Sequence, residues 1–264
     1  MPPTVARSDA RSLEVLLSPP ELDALRNRDL ADTTCVVFDI LRATTTMIEA
    51  LANGATAVIP VVEINEALAI RETNPGILLA GEREGLRIGS ALTGGVEFDL
   101  GNSPREFIGD VVRGRTIVMT TTNGTRAIRA CAGAREVLIA SFLNLRATAT
   151  YLRGTLPHRL ILVCSGTRDQ AALEDALAAG ALCERVRTDY LAGDISDSAE
   201  MVRRLYPLLQ TDLAGVMRFS TNGRRLLQHP ELKADVSFCV QKETANLVAA
   251  LGADGAVRAI GGTP

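Results

Sequence analysis

The feature that most narrows the possible folds is an alternation. Short apolar, β-rich runs recur between longer helical patterns along the 264-residue chain. Such alternation builds βαβ units on a largely parallel sheet. Strands are expected at residues 13–17, 35–40, 57–61, 77–80, 116–120, 136–140 and 160–164, with a last one at 236–240. Ser18-Pro19-Pro20-Glu21 puts prolines in an opening helical turn. Ser103-Pro104-Arg105-Glu106 has the spacing of a capping box. A weak internal repeat runs through this order: a strand, a polar turn and a helix ending in Gly54-Ala55, in Gly133-Ala134 and again in Gly180-Ala181. It reads either as a duplicated half-domain, with a sub-division near residue 112, or as the common grammar of βα units, and the first is preferred. From about Leu182 the texture turns helical, with candidates at 196–205, 207–217 and 221–227. No Pro/Gly/Ser-rich linker precedes that stretch, so 182–264 is expected to be a helical cover on a single unit of 1–264.

Composition removes several classes of function. Hydrophobic residues make up 47 % and aromatics 3 %, so the core is built from aliphatic side chains, as where helices pack on a parallel sheet. A formal charge of −3 argues against a nucleic-acid partner. The first ten residues hold no apolar signal region, and no apolar run approaches the ~18 residues of a membrane span. Cys35, Cys131, Cys164, Cys183 and Cys239 are scattered, without a CxxC pair, as in a reduced, cytoplasmic protein. His158 and His229 both sit beside prolines in apparent turns, which disfavours a His nucleophile or a His-rich zinc site.

In a doubly wound sheet, ligands sit beyond the carboxyl ends of the strands, and here those loops are polar. The first, Asp39-Ile40-Leu41-Arg42-Ala43-Thr44-Thr45-Thr46, places a carboxylate at the end of an apolar strand. Burying it is costly unless it is paired or metal-bound. It reads equally as a functional acid or as an acid paired with Arg42 beside a threonine cap. The second, Thr120-Thr121-Thr122-Asn123-Gly124-Thr125, has the donor-rich composition of a phosphate cradle, without the lysine of a Walker motif. The third, Cys164-Ser165-Gly166-Thr167-Arg168-Asp169, leads to Glu174-Asp175. Cys164 and Arg168 are too close for a C-x5-R anion loop, so a thiolate nucleophile is rejected. Taken alone, Glu174 and Asp175 read as solvated charges inside a helix; the other reading makes them acids on a first turn. The stretch from Gly81 to Ser103 is long, glycine-rich and charged, which suggests a substrate-covering loop. Acids with Asn and Thr favour a hard, oxygen-loving ion such as Mg²⁺.

Together, Asp39…Arg42-Ala43-Thr44-Thr45-Thr46, Gly81-Glu82-Arg83, Asp99-Leu100-Gly101-Asn102-Ser103-Pro104, Thr120–Thr125 and Cys164-Ser165-Gly166…Glu174-Asp175 resemble the 2-phosphosulfolactate phosphatase (ComB-like) family over roughly residues 36–182. Residues 94–99 are longer than the Gly-Phe-Asp type of segment expected there. The resemblance implies a three-layer α/β/α fold and a Mg²⁺-dependent phosphoric monoester hydrolase. Such an enzyme would convert 2-phosphosulfolactate, or a similar phosphorylated 2-hydroxy acid, to sulfolactate and phosphate, a step towards coenzyme M.

On that reading Asp39 and Glu82 hold the metal, with Glu174 or Asp175 as further ligand or water-activating base. Arg42, Thr44, Thr45, Arg83, Thr121, Thr122, Asn123, Gly124 and Thr125 hold the anion, joined by Asn102, Ser103, Ser165 and Gly166 from the family motifs. A homodimer is the default expectation. The alternatives are a non-catalytic phosphate-ester-binding protein on the same fold and an oxidoreductase, the latter weakened by the lack of a GxGxxG after any strand.

Overall fold

The computed structural model describes residues 10–25 and 27–261. Its strands are β1 (Ser12–Leu16), β2 (Thr33–Phe38), β3 (Ala57–Val61), β4 (Leu78–Arg83), β5 (Leu86–Arg87), β6 (Thr116–Thr120), β7 (Glu136–Ala140), β8 (Arg159–Cys164), β9 (Asp194–Ile195), β10 (Ala249–Leu251) and β11 (Val257–Ala259). The α-helices are α1 (Pro19–Leu25), α2 (Ala43–Ala52), α3 (Ile64–Thr73), α4 (Ser90–Thr93), α5 (Gly109–Val112), α6 (Gly124–Ala130), α7 (Leu145–Thr155), α8 (Leu173–Val186), α9 (Asp197–Leu209), α10 (Leu213–Val216), α11 (Thr221–Leu227) and α12 (Lys233–Cys239).

The strands form one sheet in the order β5-β4-β6-β3-β11-β10-β7-β2-β8-β1-β9. Two parallel blocks, β4-β6-β3 and β7-β2-β8-β1, are joined through the antiparallel hairpin β10–β11. That join is narrow: Val257 meets Val58 on one side, and Ala249 and Ala250 meet Ile139 and Leu138 on the other. The crossovers β2–α2–β3 and β6–α6–β7 pass between the blocks in opposite directions.

Strand periodicity sets the layers. Successive side chains point to opposite faces. Val36 and Phe38 of β2 enter a core with Leu152, Leu177 and Val202 of α7, α8 and α9. Cys35 and Val37 face the other side, against Met47, Ile48, Ala127 and Ile128 of α2 and α6. All six residues of β2 are buried, as a strand covered on both faces requires. A smaller core under α3 collects Leu79, Val118, Ile88 and Phe98. The result is three layers, as expected. No helix among the described residues is long and apolar enough to cross a membrane.

Several local expectations change. Residues 236–240 form no strand; 236–239 belong to α12 and Val240 is its C-cap. A short apolar run cannot be assigned by periodicity alone, and here Arg42, Ser103 and Arg105 bury Asp235 and hold the segment as a helix against the Pro104–Glu106 turn. Ser103–Glu106 is not a capping box: Pro104–Glu106 is a single 3-10 turn without a side-chain cap. The Ser103 hydroxyl donates to Asp235 and the Glu106 carboxylate accepts from the Gly101 amide. Pro207 does not open a helix but lies inside α9, near its carboxyl end, where the missing N–H forfeits one bond. The 182–264 stretch is mainly helical, yet it also supplies β9 at the sheet edge and the β10–β11 hairpin at its centre. The 81–103 stretch is largely folded: β4 and β5 form a hairpin, Phe98 is buried, and Asp99 pairs with Arg71 at 2.6 Å. Only its two ends reach the cleft described below.

α8 can approach α9 because Gly180 lacks a side chain. A Cβ there would lie 2.2 Å from the Val202 carbonyl oxygen, a backbone atom that cannot swing away. Helix propensity alone says Gly→Ala should stabilise by about 1 kcal/mol. The close crossing reverses the sign, and Gly180→Ala is expected to destabilise by roughly 1–3 kcal/mol, read from the midpoint of urea unfolding.

Candidate active site

β2 and β8 are neighbours, but their following helices α2 and α8 lie on opposite faces of the sheet. That is a topological switch point, where a crevice opens beyond the carboxyl ends. A cleft of about 320 Å³ lies there. Its lining comes from the β2 loop (Asp39, Leu41, Arg42), the β4 end (Glu82, Glu84), Asn102, the β6 loop (Thr121, Thr122, Asn123, with Arg126), the β8 loop (Thr167, Arg168, Asp169) and α11 (Arg225).

Asp39 is buried, and its carboxylate accepts the Ala43 amide at 3.2 Å. Gly124 makes room for it: a Cβ there would come within 2.7 Å of Asp39 Oδ2 and of the Ala43 Cβ. Burial pushes the Asp39 carboxyl up to about 6, with the charges of Glu82 and Glu174 adding to the rise and the Ala43 and Ser165 donors opposing it. Glu82 organises the β6 loop. Its Oε1 accepts both the amide and the hydroxyl of Thr122 at 2.9 Å, and its Oε2 accepts the Gly85 amide at 2.6 Å.

Glu174 and Asp175 are not solvated. They sit in the first turn of α8 at 1 % and 2 % exposure. Asp175 accepts the Ile40 amide at 2.8 Å with one oxygen, and the Ser165 hydroxyl and Gly166 amide with the other. It thereby ties the β2 loop to the β8 loop. Glu174 Oε1 accepts from Asn222 at 2.7 Å, while its Oε2 is buried without a hydrogen-bond partner. Burial raises both carboxyls; for Asp175 the charges of Asp39 and Glu174 raise it further, whereas for Glu174 the Asn222 and Ser220 donors oppose the rise.

Arg42 does not pair with Asp39. Its guanidinium donates to Asp235 at 2.7 Å and to the Gly85 carbonyl at 2.6 Å. Asp235, fully buried, also accepts from Ser103 and Arg105, both at 2.7 Å. The first loop is thus fastened to the last helix by a buried ion pair.

Of the residues singled out from sequence, Asp39, Arg42, Glu82, Asn102, Thr121, Thr122 and Asn123 meet at the cleft. Others prove to be framework. The Thr44 and Thr45 hydroxyls donate to the carbonyls of Asp39 and Ile40, are fully buried, and so have no proton left for an anion. Thr125 donates to the Thr121 carbonyl. Arg83 turns away to Val62 and Thr120. Ser103, Ser165 and Gly166 serve Asp235 and Asp175, and Gly124 supplies space. Sequence reasoning missed Glu84, Arg126, Arg168, Asp169 and Arg225 as lining, and Asn222 and Asp235 as supports. Arg126, Arg168 and Asp169 stood within or next to the polar loops and were findable there. The tail segments 220–224 and 235–239, which hold Asn222 and Asp235, are compatible with the family but less specific, and no local pattern in them marks these roles.

The model of the family described as 2-phosphosulpholactate phosphatase matches residues 21–253. The chain belongs to this family. The match extends well beyond the 36–182 segment on which the motifs rest, and so takes in α11 and α12. A protein of Caldanaerobacter subterraneus subsp. tengcongensis, named a probable 2-phosphosulfolactate phosphatase, is 36 % identical over 86 % of this chain and 90 % of its own length. Relatives with the same name from Thermotoga maritima, 37 % identical over 83 % of this chain and 88 % of theirs, and from Deinococcus radiodurans, 38 % over 82 % and 86 %, behave alike. The family is one of phosphoric monoester hydrolases, and the 2-phosphosulpholactate phosphatase motifs quoted above coincide with the loops that build the cleft.

Removing Asp235 strands the Arg42 charge in the interior, so Asp235→Ala is expected to cost roughly 3–5 kcal/mol of stability, measured by chemical unfolding. Asp39 acts in the opposite sense. Its folded pKa lies above the unfolded value, so its contribution to stability is present at low pH and is lost as pH rises through about 6. In metal-free buffer, Asp39→Asn is therefore expected to raise the melting temperature by roughly a few degrees at pH 8 and by less at pH 5.

Proposed function

We propose that this chain is a Mg²⁺-dependent phosphatase acting on 2-phosphosulfolactate or a closely similar phosphorylated 2-hydroxy acid. The observation that carries the reading is the meeting of Asp39, Glu82 and the Thr121-Thr122-Asn123 turn in one cleft, in a chain whose relatives are named for that reaction.

The donor set suits magnesium. Among the described residues no group of three or more His, Cys, Asp or Glu side chains stands gathered as a metal site. Mg²⁺ needs no such cage, since it binds through one or two carboxylates with waters and phosphate oxygens. Asp39 and Glu82 would hold it, and the rise of the Asp39 carboxyl beside other buried acids is what a cation would relieve. Asp175 fits less well than expected: like Glu82 it has protein donors on both oxygens, but unlike Glu82 it does not line the cleft. The unpartnered Glu174 Oε2 is the better third oxygen. When bound, the ion would draw charge from the phosphoryl group and acidify a water.

The chain's own groups then divide the work. Thr121, Thr122 and Asn123 offer hydroxyl and amide donors to phosphoryl oxygens, in a geometry fixed by the grip of Glu82 on Thr122. Asp175 holds the Asp39 loop in place through the Ile40 amide. A cytoplasmic site is part of this reading, supported by five buried free thiols, as are a homodimer and an ancestral duplication of the two opposed βαβ crossovers.

Phosphate release from 2-phosphosulfolactate should require Mg²⁺ and vanish with EDTA. Asp39→Asn and Glu82→Gln should each lower kcat/KM by about 10²–10⁴-fold in a steady-state phosphate assay. Release from no phosphorylated 2-hydroxy acid would overturn the reading in favour of an anion-binding protein.

A further inference from the structure

We infer that Asp235 is a positioning residue for the metal centre: through Arg42 and Gly85 it aims the one open acceptor position of Glu82 into the cleft. The inference rests on the reading of Asp39 and Glu82 as holders of a divalent cation, and it adds a control exerted from the last helix.

The chain of contacts is unbroken. Asp235 Oδ2 accepts from Arg42 Nη1 at 2.7 Å, and Arg42 Nη2 donates to the Gly85 carbonyl at 2.6 Å. The Gly85 amide in turn donates to Glu82 Oε2 at 2.6 Å. Asp235 and Arg42 are 0 % and 3 % exposed, so water does not compete for their bond. A carboxylate has about four acceptor positions, two on each oxygen. On Glu82, Oε1 fills both of its own with the amide and the hydroxyl of Thr122. Among the described residues Oε2 takes a single donor, the Gly85 amide. Glu82 lines the cleft, and its open position is therefore on the oxygen that Gly85 orients.

Gly85 needs that outside hold. It lies in the turn between β4 and β5, where Glu84 and Gly85 take left-handed conformations, with φ of 55° and 86°. The ladder beyond the turn consists of Glu82 with Arg87 and Arg83 with Leu86, at the edge of the sheet, and both residues of β5 are exposed. A hairpin so short is marginal by itself. Arg42 supplies the fastening because its planar fork serves two acceptors at once, and Asp235 keeps the fork in place by pairing its charge. The oxygens of Asp235 divide their duties. Oδ1 accepts from Ser103 and from Arg105 Nε, which tie α12 to the Pro104–Glu106 turn, while Oδ2 serves the arginine that reaches the site. Packing rests on one oxygen and positioning on the other, so mutation can separate them.

The test measures binding of Mn²⁺, a paramagnetic substitute for Mg²⁺, to the full chain without substrate. The resonance of the free ion is followed in wild type, Asp235→Asn, Arg42→Lys and Arg105→Ala, beside the melting temperature of each. Loss of a group that orients a metal ligand corresponds to about tenfold to a hundredfold in affinity. Asp235→Asn is expected to weaken Mn²⁺ binding by that factor. Arg42→Lys keeps a charge for Asp235 but loses the fork, and should weaken binding alike; it decides the matter if Asp235→Asn does not fold. Arg105→Ala removes only an Oδ1 partner, and should lower the melting temperature while leaving Mn²⁺ affinity unchanged. In turnover, Asp235→Asn should need more Mg²⁺ for activation by the same factor, with the KM for the ester at saturating Mg²⁺ unchanged. Wild-type Mn²⁺ affinity in Arg42→Lys or in folded Asp235→Asn overturns the inference, as does an equal loss in Arg105→Ala or a wild type that binds no Mn²⁺. If Mn²⁺ binding depends on Asp235 while no ester is hydrolysed, the phosphatase reading fails and the positioning role stands.

Discussion

The structure turns on the cost of keeping carboxylates out of water. Asp39, Glu82, Glu174 and Asp175 are all buried around the carboxyl ends of the strands, and an isolated charge in such a place is expensive. The fold offsets that cost mainly with donors, the Arg225 charge adding its share only at Glu174. The amides of Ile40, Ala43, Gly85, Thr122 and Gly166 each point at one of these acids. The loops take their shapes from that duty. Since carboxylates accept and do not donate, each fixed acid fixes the backbone that serves it. What remains unsatisfied, the raised Asp39 carboxyl and the bare Glu174 oxygen, is what the site presents to a cation or a proton.

Around this centre the carboxyl-terminal third acts as a clasp. α12 brings Asp235 to Arg42, α11 brings Asn222 to Glu174 and Thr167, and the β10–β11 hairpin bridges the two parallel blocks. None of these contacts is local. Deleting any one would leave a buried polar group without its partner, which costs more than the bond itself contributes. The site is therefore stable only when the whole chain has folded, in keeping with a family match that runs from residue 21 to 253.

The framework and the site differ in how far local patterns reveal them. β3, β6 and β7 stand at their expected boundaries because an alternating or fully apolar run between turn residues has few other ways to be buried. Asp39 and the Thr121–Asn123 turn were legible since a polar loop straight after a strand lies where ligands bind. Thr44 and Thr45 misled, because a hydroxyl that caps its own turn looks the same in sequence as one that faces a ligand. Glu174 and Asp175 were open to two readings, solvated charges inside a helix or acids on a first turn, and only the start and packing of α8 show that the second holds.

By itself the sequence determined the layers, the parallel blocks, the acids and donors of the first two loops and the family, because each rests on patterns within about ten residues. Only the tertiary structure decided that Arg42 answers Asp235 and not Asp39, that the 236–240 run is helical, and that Arg225 joins Arg168 at the cleft. Those outcomes depend on which partner reaches a buried charge first in space, a matter of distances between segments far apart in the chain that no local pattern encodes.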